Sequence, residues 1–204
     1  MIAVISKPRI GVLAIQGDYA AHAAALEESG AAPSLVKTAE DLRLDTHPLD
    51  GLILPGGEST TMLKFLERRG LFEPLRDFCL AKPVFGTCAG AILLAREVRH
   101  PVQRSLNLLD AVVERNAYGR QIDSSIFEAE SKLPGGPLEM VFIRAPRIVE
   151  IGPEVEALAF REGFPTLVRQ GSVMAATFHP ELSSSRRVHR LFVDGVRLTA
   201  SKLV

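Results

Sequence analysis

The sequence predicts an α/β protein in three layers: a mostly parallel, twisted sheet with helices on both faces, and a small antiparallel β extension. Two observations predict this architecture. In the first half of the chain, short apolar runs alternate with segments of helical periodicity, which is typical of a parallel sheet covered on both faces. After about residue 107 the pattern changes to successive β-rich pieces, which indicates the antiparallel part.

Length and composition favour a single domain over residues 1–204. A chain of 204 residues has the length of one ordinary domain, and its 47% hydrophobic residues suffice for a core. The 24 basic and 24 acidic residues cancel, which argues against a nucleic-acid partner. Neither a run of the ~20 apolar residues that span a membrane nor the pattern of a signal peptide is present, so we expect a cytoplasmic protein without a membrane partner.

Strands and helices of the first half have recognisable boundaries. Apolar runs predict four strands, at residues 9–15, 34–37, 51–54 and 83–85. Asp18 and Ser59 stand where helix N-caps belong, each after a glycine-containing loop. The helix at 71–80 includes Cys79 on its apolar stripe, so we expect this cysteine in the core. A small apolar helix at 91–95 follows the fourth strand.

The second half is predicted to add β-rich pieces and one last helix. The pieces cover residues 107–116, 121–130, 138–146 and 148–152. Gly135-Gly136-Pro137 marks an exposed turn between two of them. A strand at 172–178 then ends at His179-Pro180-Glu181, and an amphipathic helix follows at about 184–202. We expect His189 to lie on the surface of that helix.

Cys88 stands in the pentapeptide G-T-C-A-G, directly after a buried strand and before a helix, which is the sequence context of a nucleophile elbow. A nucleophile on such a sharp turn needs tiny neighbours two residues away, and Gly86 and Gly90 occupy those positions. The helix N-terminus favours the thiolate, the form that attacks a carbonyl carbon. Taken alone, the pentapeptide has a second interpretation, a turn with an inert cysteine.

A thiol nucleophile needs a base, and His179 is the histidine with a suitable setting among the five. It follows a strand, and Glu181 can turn back to orient its imidazole. In the Pro55-Gly56-Gly57-Glu58 loop, the glycines allow N–H groups to face a developing negative charge, so Gly57 and Ala89 are candidates for an oxyanion hole. Phosphate-binding glycine motifs and metal-ligand spacings are missing from the sequence, so we expect no cofactor and no metal.

Six segments resemble the class I (triad) glutamine amidotransferases, and within them the glutaminase subunits of pyridoxal 5′-phosphate synthase. In chain order they are GVLAIQGDYAAH, GLILPGGESTTM, KPVFGTCAG, VVERNAYGRQ, VFIRAP and FHPEL. The resemblance implies a flavodoxin-like sheet. It also implies that Cys88 as nucleophile, His179 as base and acid, and Glu181 as orienting carboxylate hydrolyse L-glutamine to L-glutamate and ammonia.

The resemblance further implies substrate contacts and a partner. The residues that match glutamine-contacting positions of the family are Gly56, Gly57, Glu58, Arg115, Ile143 and Arg144. Gln16 matches a glutamine near the subunit interface. The implied partner is a separate (β/α)₈ synthase subunit, which receives the ammonia in a hetero-oligomer for vitamin B6 biosynthesis. We expect its docking to raise a weak activity of the isolated chain by setting the Gly56–Gly57 peptide.

Three alternatives remain at this point. The chain could be the glutaminase subunit of another amidotransferase, or a cysteine hydrolase of related fold. It could also be a non-catalytic subunit that kept the fold, although all three triad positions are filled.

Overall fold

A computed structural model of the chain describes residues 7–115 and 125–201. Its helices are α1 (Tyr19–Glu28), α2 (Ser59–Arg68), α3 (Phe72–Ala81), α4 (Ala89–Leu94) and α5 (Arg187–Ser201), with short 3₁₀ turns at Glu40–Leu42 and Pro180–Leu182. Its strands are β1 (Arg9–Leu13), β2 (Ala32–Val36), β3 (Gly51–Leu54), β4 (Val84–Thr87), β5 (Ala95–Arg99), β6 (Leu109–Glu114), β7 (Ser125–Ala129), β8 (Leu138–Phe142), β9 (Arg147–Ile151), β10 (Glu156–Arg161), β11 (Phe164–Gln170) and β12 (Val173–Ala176). Most of the RNAYGRQ part of the fourth motif lies outside the described residues.

Five parallel strands form the centre of a seven-stranded sheet. The strand order is β10-β11-β12-β4-β3-β1-β2. The strands from β12 to β2 run parallel, whereas β11 and β10 extend the sheet antiparallel. The prediction of a mostly parallel sheet is therefore confirmed. Because parallel strands share one direction, the loops after β1, β3, β4 and β12 meet at a single edge, where α/β proteins bind their ligands.

The two faces of this sheet carry separate apolar cores, because side chains alternate along each strand. Leu52 and Leu54 of β3 pack with α2, α3 and α4 on one face, while Ile53 packs with α1 and α5 on the other. Cys79 is buried in the first core, as predicted. Burial raises the pKa of the Cys79 thiol, which leaves it neutral and unreactive. Among the described residues, each helix is too short or too polar to span a membrane.

The second half builds two smaller sheets beside the antiparallel edge. One contains β5, β6 and β9, and the other contains β7 and β8. The predicted exposed turn at Gly135 and Gly136 lies between β7 and β8, and both glycines have positive φ, 102° and 80°. The sequence pattern did not identify β5, β10 or β11. The last helix begins at Arg187, slightly later than predicted, because a 3₁₀ turn follows β12.

Asp18 is the N-cap of α1, as predicted, whereas the N-cap of α2 lies one residue before the predicted one. Glu58 rather than Ser59 is the N-cap of α2, since its carboxylate accepts hydrogen bonds from the N–H groups of Thr60 and Thr61 at 3.0 and 2.6 Å. Ser59 is instead the first helical residue. Asp18 is the N-cap of α1, but its side chain makes no capping hydrogen bond. Its carboxylate therefore stays available at the ligand-binding edge of the sheet.

Candidate active site

Cys88 lies at the sharp turn between β4 and α4. Its backbone has φ 46° and ψ −100°, in a region that residues with a side chain rarely adopt. Its N–H donates to the Ala176 carbonyl at 2.8 Å and so ties the turn to the neighbouring strand β12. Only 5% of the residue is exposed. The turn therefore holds the sulfur at the carboxyl edge of the sheet in a fixed position.

Gly86 and Gly90 make room for this turn, as the elbow pattern predicts. A Cβ atom at Gly90 would lie 2.0 Å from the Leu54 carbonyl oxygen. A Cβ atom at Gly86 would lie 2.6 Å from the Gly90 carbonyl group. Both obstacles are backbone atoms, which cannot rotate away as a side chain could. Glycine is therefore required at both positions for a physical reason that does not depend on the chemistry of the sulfur.

The loop after β12 brings His179 and Glu181 to the same edge. His179 Nδ1 lies 2.7 Å from Glu181 Oε1, and both side chains are buried. The His179 ring and the Cys88 side chain line the same cavity, and the interaction with Cys88 is one of the causes that raise the pKa of His179. The backbone N–H of His179 donates to the Val141 carbonyl at 2.8 Å, which anchors the loop to β8. The structure thus brings together the three residues of the predicted triad.

The neighbours of His179 favour its charged form. Burial is the largest influence and opposes a positive charge. Interactions with Cys88 and Glu181 outweigh it and raise the pKa of His179 to about 10. At neutral pH the ring is therefore an imidazolium next to the sulfur. Such a cation stabilises a thiolate and has a proton to give to a leaving group.

A cavity of about 430 Å³ lies over Cys88 and His179. Its wall carries two acidic and two basic side chains, from Asp18, Glu58, Arg115 and Arg144. Gly57, Ile143, Ser59 and Ile92 complete the lining. Five of the six predicted substrate-binding residues therefore face one space, the exception being Gly56. Asp18, Ser59 and Ile92 line the cavity although the sequence pattern gave them no role in the site.

Gly56 and Gly57 pack tightly against two side chains. A Cβ atom at Gly56 would lie 2.4 Å from Cε1 of His179, so this glycine contacts the ring rather than the cavity. A Cβ atom at Gly57, where φ is 139°, would lie 2.4 Å from Nε2 of Gln16. The Gly56 carbonyl faces Gly17, which directs the Gly57 N–H to the opposite side of the trans peptide. Gln16 Nε2 is buried without a hydrogen-bond partner among the described residues.

Arg115 and Glu58 form an ion pair in the cavity wall. Arg115 Nη2 lies 3.3 Å from Glu58 Oε1 and donates to the Thr60 hydroxyl at 2.7 Å. Partial burial works against the Glu58 charge, but hydrogen bonds from Thr61 and Thr60 outweigh it and lower the pKa of Glu58 to about 2. Glu58 is therefore charged at neutral pH. It both caps α2 and holds the Arg115 guanidinium at the edge of the cavity.

Asp18 brings a further carboxylate close to the triad. The structure places one potential ligand atom from each of three residues, Asp18, His179 and Glu181, within 4.8 Å of one another. This spacing could hold a metal ion. However, His179 Nδ1 already bonds Glu181 Oε1 at 2.7 Å, and a metal ion held by these two atoms would have to break this contact. We therefore assign His179 and Glu181 to acid–base chemistry, and the absence of a metal from the reaction stays a prediction.

Two buried histidines continue the polar chain beyond Glu181. His22 Nε2 lies 3.3 Å from Glu181 Oε2 and 3.0 Å from Thr87 Oγ1. His22 Nδ1 lies 3.0 Å from His189 Nε2, and both histidines are fully buried. His189 lies on the last helix, as predicted, but its side chain faces the interior and does not line the cavity. The signal for this orientation was its spacing of four residues from the apolar Val193, which places His189 on the inner face of α5.

Comparison with known proteins gives matches over nearly the whole chain. The SNO glutamine amidotransferase family matches residues 12–198. The pyridoxal 5'-phosphate synthase subunit PdxT of Koribacter versatilis is 57% identical over 189 residues, which cover 93% of this chain and 96% of that protein. The protein of the same name from Solibacter usitatus is 52% identical over 192 residues, which cover 91% and 98%.

Solved structures agree with these matches. The crystal structure of a glutamine amidotransferase superposes with a TM-score of 0.83 at 43% identity and covers 92% of this chain and 98% of that one. A glutamine amidotransferase from Thermotoga maritima, at 16% identity and a TM-score of 0.59, covers 97% and 86% and supports the fold alone. On the family match and the relatives together, the chain belongs to the SNO glutamine amidotransferase family.

Proposed function

We propose that this chain hydrolyses L-glutamine to L-glutamate and ammonia, and that it supplies the ammonia to a separate subunit that synthesises pyridoxal 5′-phosphate. One observation carries the proposal: Cys88 and the hydrogen-bonded His179–Glu181 pair lie together at one cavity, which is lined by charges of both signs. Residues 1–204 act as one domain in this proposal, since the site uses loops from both halves of the chain.

The chemistry proceeds through a covalent intermediate. The Cys88 thiolate adds to the side-chain amide carbon of glutamine, and the C–N bond breaks as the His179 imidazolium gives its proton to the departing ammonia. The neutral ring then takes a proton from water, which adds to the γ-glutamyl thioester. The C–S bond breaks, glutamate leaves, and the sulfur and ring regain their starting forms. Glu181 accepts the Nδ1–H bond throughout and stabilises the positive ring.

Two backbone N–H groups are candidates to hold the oxyanion. Ala89 is the first residue of α4, so its N–H has no acceptor within the helix. Gly57 lines the cavity on the opposite loop. Removal of one such donor typically slows a reaction by ~10²–10³. Gly57 is the more adjustable of the two, because its peptide lies in a loop of two glycines.

The charge pattern of the cavity suits the amino-acid end of glutamine. Arg115 and Arg144 can bind the α-carboxylate, and Asp18 and Glu58 can bind the α-ammonium group. Ile143 adds an apolar patch to the wall. Gly56 packs against the His179 ring and leaves room for it, so this glycine affects the reaction by positioning the ring.

A partner is needed because ammonia released into neutral water becomes ammonium and loses its nucleophilic lone pair. The two relatives from Koribacter and Solibacter are named as synthase subunits. We place a (β/α)₈ synthase subunit at the edge formed by Gln16 and the Gly56–Gly57 peptide. The Nε2 atom of Gln16, which is buried and has no hydrogen-bond partner among the described residues, supports this choice. Docking there can change the orientation of the Gly56–Gly57 peptide and so raise a weak basal activity. The Cys88 thiol must stay reduced to act as a nucleophile, so we also place the protein in a reducing compartment such as the cytoplasm.

Ammonia release from glutamine tests this proposal, measured for the chain alone and with the synthase subunit. We expect Cys88→Ala to abolish turnover in both conditions. Cys79→Ala is the matched control, since Cys79 is equally buried but lies in the core on α3, and it should keep its activity. Turnover by Cys88→Ala would contradict covalent catalysis. Full activity of the isolated chain, unchanged by the synthase subunit, would contradict the proposed role of docking.

A further inference from the structure

Glu181 is bonded through one oxygen only. Its Oε1 accepts from His179 Nδ1 at 2.7 Å, whereas its buried Oε2 has no hydrogen-bond partner among the described residues. His22 Nε2 lies 3.3 Å from this second oxygen. A buried carboxylate oxygen without a donor is costly, so the tautomer of His22 decides whether this arrangement stabilises Glu181 or repels it.

One tautomer pattern satisfies the two remote rings. Burial lowers the pKa of His22 well below its usual range and the pKa of His189 to about 3, so each ring is neutral and carries one N–H. A proton on His22 Nδ1 would donate to His189 Nε2 and force the His189 proton onto Nδ1, a buried atom for which the described part of the chain offers no partner. With both protons on Nε2, His189 donates to His22, and His22 donates to Thr87 Oγ1 at 3.0 Å, with Glu181 Oε2 3.3 Å from the same nitrogen.

We propose that His22 is a positioning residue whose Nε2–H, shared with Thr87, faces and stabilises the second oxygen of Glu181, and that His189 fixes the His22 tautomer. This proposal rests on the glutaminase function proposed above. Both oxygens of Glu181 then face an N–H group, which favours one orientation of the carboxylate while His179 loses and regains its proton. Helices α1 and α5, which carry the two histidines, are in this way joined to the reacting edge of the sheet.

The expected effect is on turnover rather than on substrate binding. His22 does not line the cavity, so loss of its donor should leave KM for glutamine unchanged. The loss of a hydrogen bond to a charged group typically corresponds to a roughly tenfold to hundredfold change, which we expect in kcat.

Two amide variants of the full chain separate this role from a structural one. His22→Gln places an amide near the position of Nε2 and keeps a donor for Glu181, whereas His22→Asn places its amide near Nδ1 and lacks that donor. We expect His22→Gln to keep kcat within about threefold and His22→Asn to lose roughly tenfold or more. His47→Asn, at an exposed loop histidine, is the control and should change neither kcat nor KM. Equal losses in the two His22 variants would overturn the proposal.

A measurement on the unmodified chain keeps the test independent of folding defects and of the glutaminase assay. NMR of ¹⁵N-histidine-labelled protein reports which ring nitrogen carries the proton. We expect protonated Nε2 on both His22 and His189. A proton on Nδ1 of His22 would overturn the proposal whatever the activity. Conversely, if the chain showed the expected tautomers but no glutaminase activity, the proposed function would be wrong, whereas the proposed contact to Glu181 would remain supported.

Discussion

His179 and His189 stand at the two ends of one buried polar chain, yet they differ in charge. Burial disfavours a positive ring at both ends. Near His189 the cation Arg186 acts in the same direction as burial, and the pKa falls to about 3. At His179 the interactions with Cys88 and Glu181 outweigh burial, and the pKa rises to about 10. The partners of a histidine, and not its depth, thus decide which ring can exchange protons with a substrate.

The largest expected difference between the two ends is in rate. His179→Asn removes the base, the acid and the counter-charge of the thiolate, so glutamine turnover should fall by roughly 10³-fold or more. His189→Asn only loses the N–H donated to His22, and we expect a loss of at most about tenfold. Ammonia release at saturating glutamine measures both, with circular dichroism to check that each variant is folded. Similar losses at the two positions would break the comparison.

The same two ends differ in how far the sequence could predict them. The reactive end follows from local patterns: the glycines around Cys88 are required by the turn itself, and Glu181 follows His179 by two residues. The remote end has no such pattern, since His22 and His189 are 167 positions apart and meet only when α1 and α5 pack on one face of the sheet. Their spacing indicates burial but not what they contact.

The fold shows a similar division. The central strand β3 was predictable because burial on both faces gives it an uninterrupted apolar sequence, and a glycine-rich loop ends it. Strand β5 alternates less clearly, with two exposed residues between buried ones, and it pairs with β6 across a register shift. Its pairing partner, and not its own composition, makes it a strand.

A second prediction compares the backbone at the two ends. Gly90→Ala places a Cβ atom 2.0 Å from the Leu54 carbonyl oxygen, so the elbow must shift, and we expect a loss of about 3 kcal/mol or more in the free energy of unfolding. Gly195→Ala lies on α5, the helix that carries His189, and has open space around it. There alanine should stabilise the helix by roughly 0.5–1 kcal/mol. Urea unfolding measures both, and a negligible effect at Gly90 would refute the tight elbow.

A third prediction concerns the pH dependence of stability. The folded pKa of His189, about 3, lies below the ordinary value of 6.5. Its contribution is therefore complete above pH 6.5 and is lost as the pH falls toward 3. His179 has the opposite sign: its contribution is complete below pH 6.5 and is lost as the pH rises through about 10. The two ends should therefore limit stability on opposite sides of neutrality.

Two variants test these acid and alkaline losses separately, when the free energy of unfolding in urea is measured across pH. His189→Asn should be less sensitive to acid than the unmodified chain, by roughly 2–3 kcal/mol between pH 7 and pH 4. Acid also weakens carboxylates with lowered pKa values, such as Glu58, but both proteins share that effect, and both retain His22. Cys88→Ala should reduce the loss of stability at alkaline pH, because it removes one of the partners that keep His179 charged. If both variants kept the pH profile of the unmodified chain, the two histidines would not differ in charge, and the contrast between the two ends would have to be abandoned.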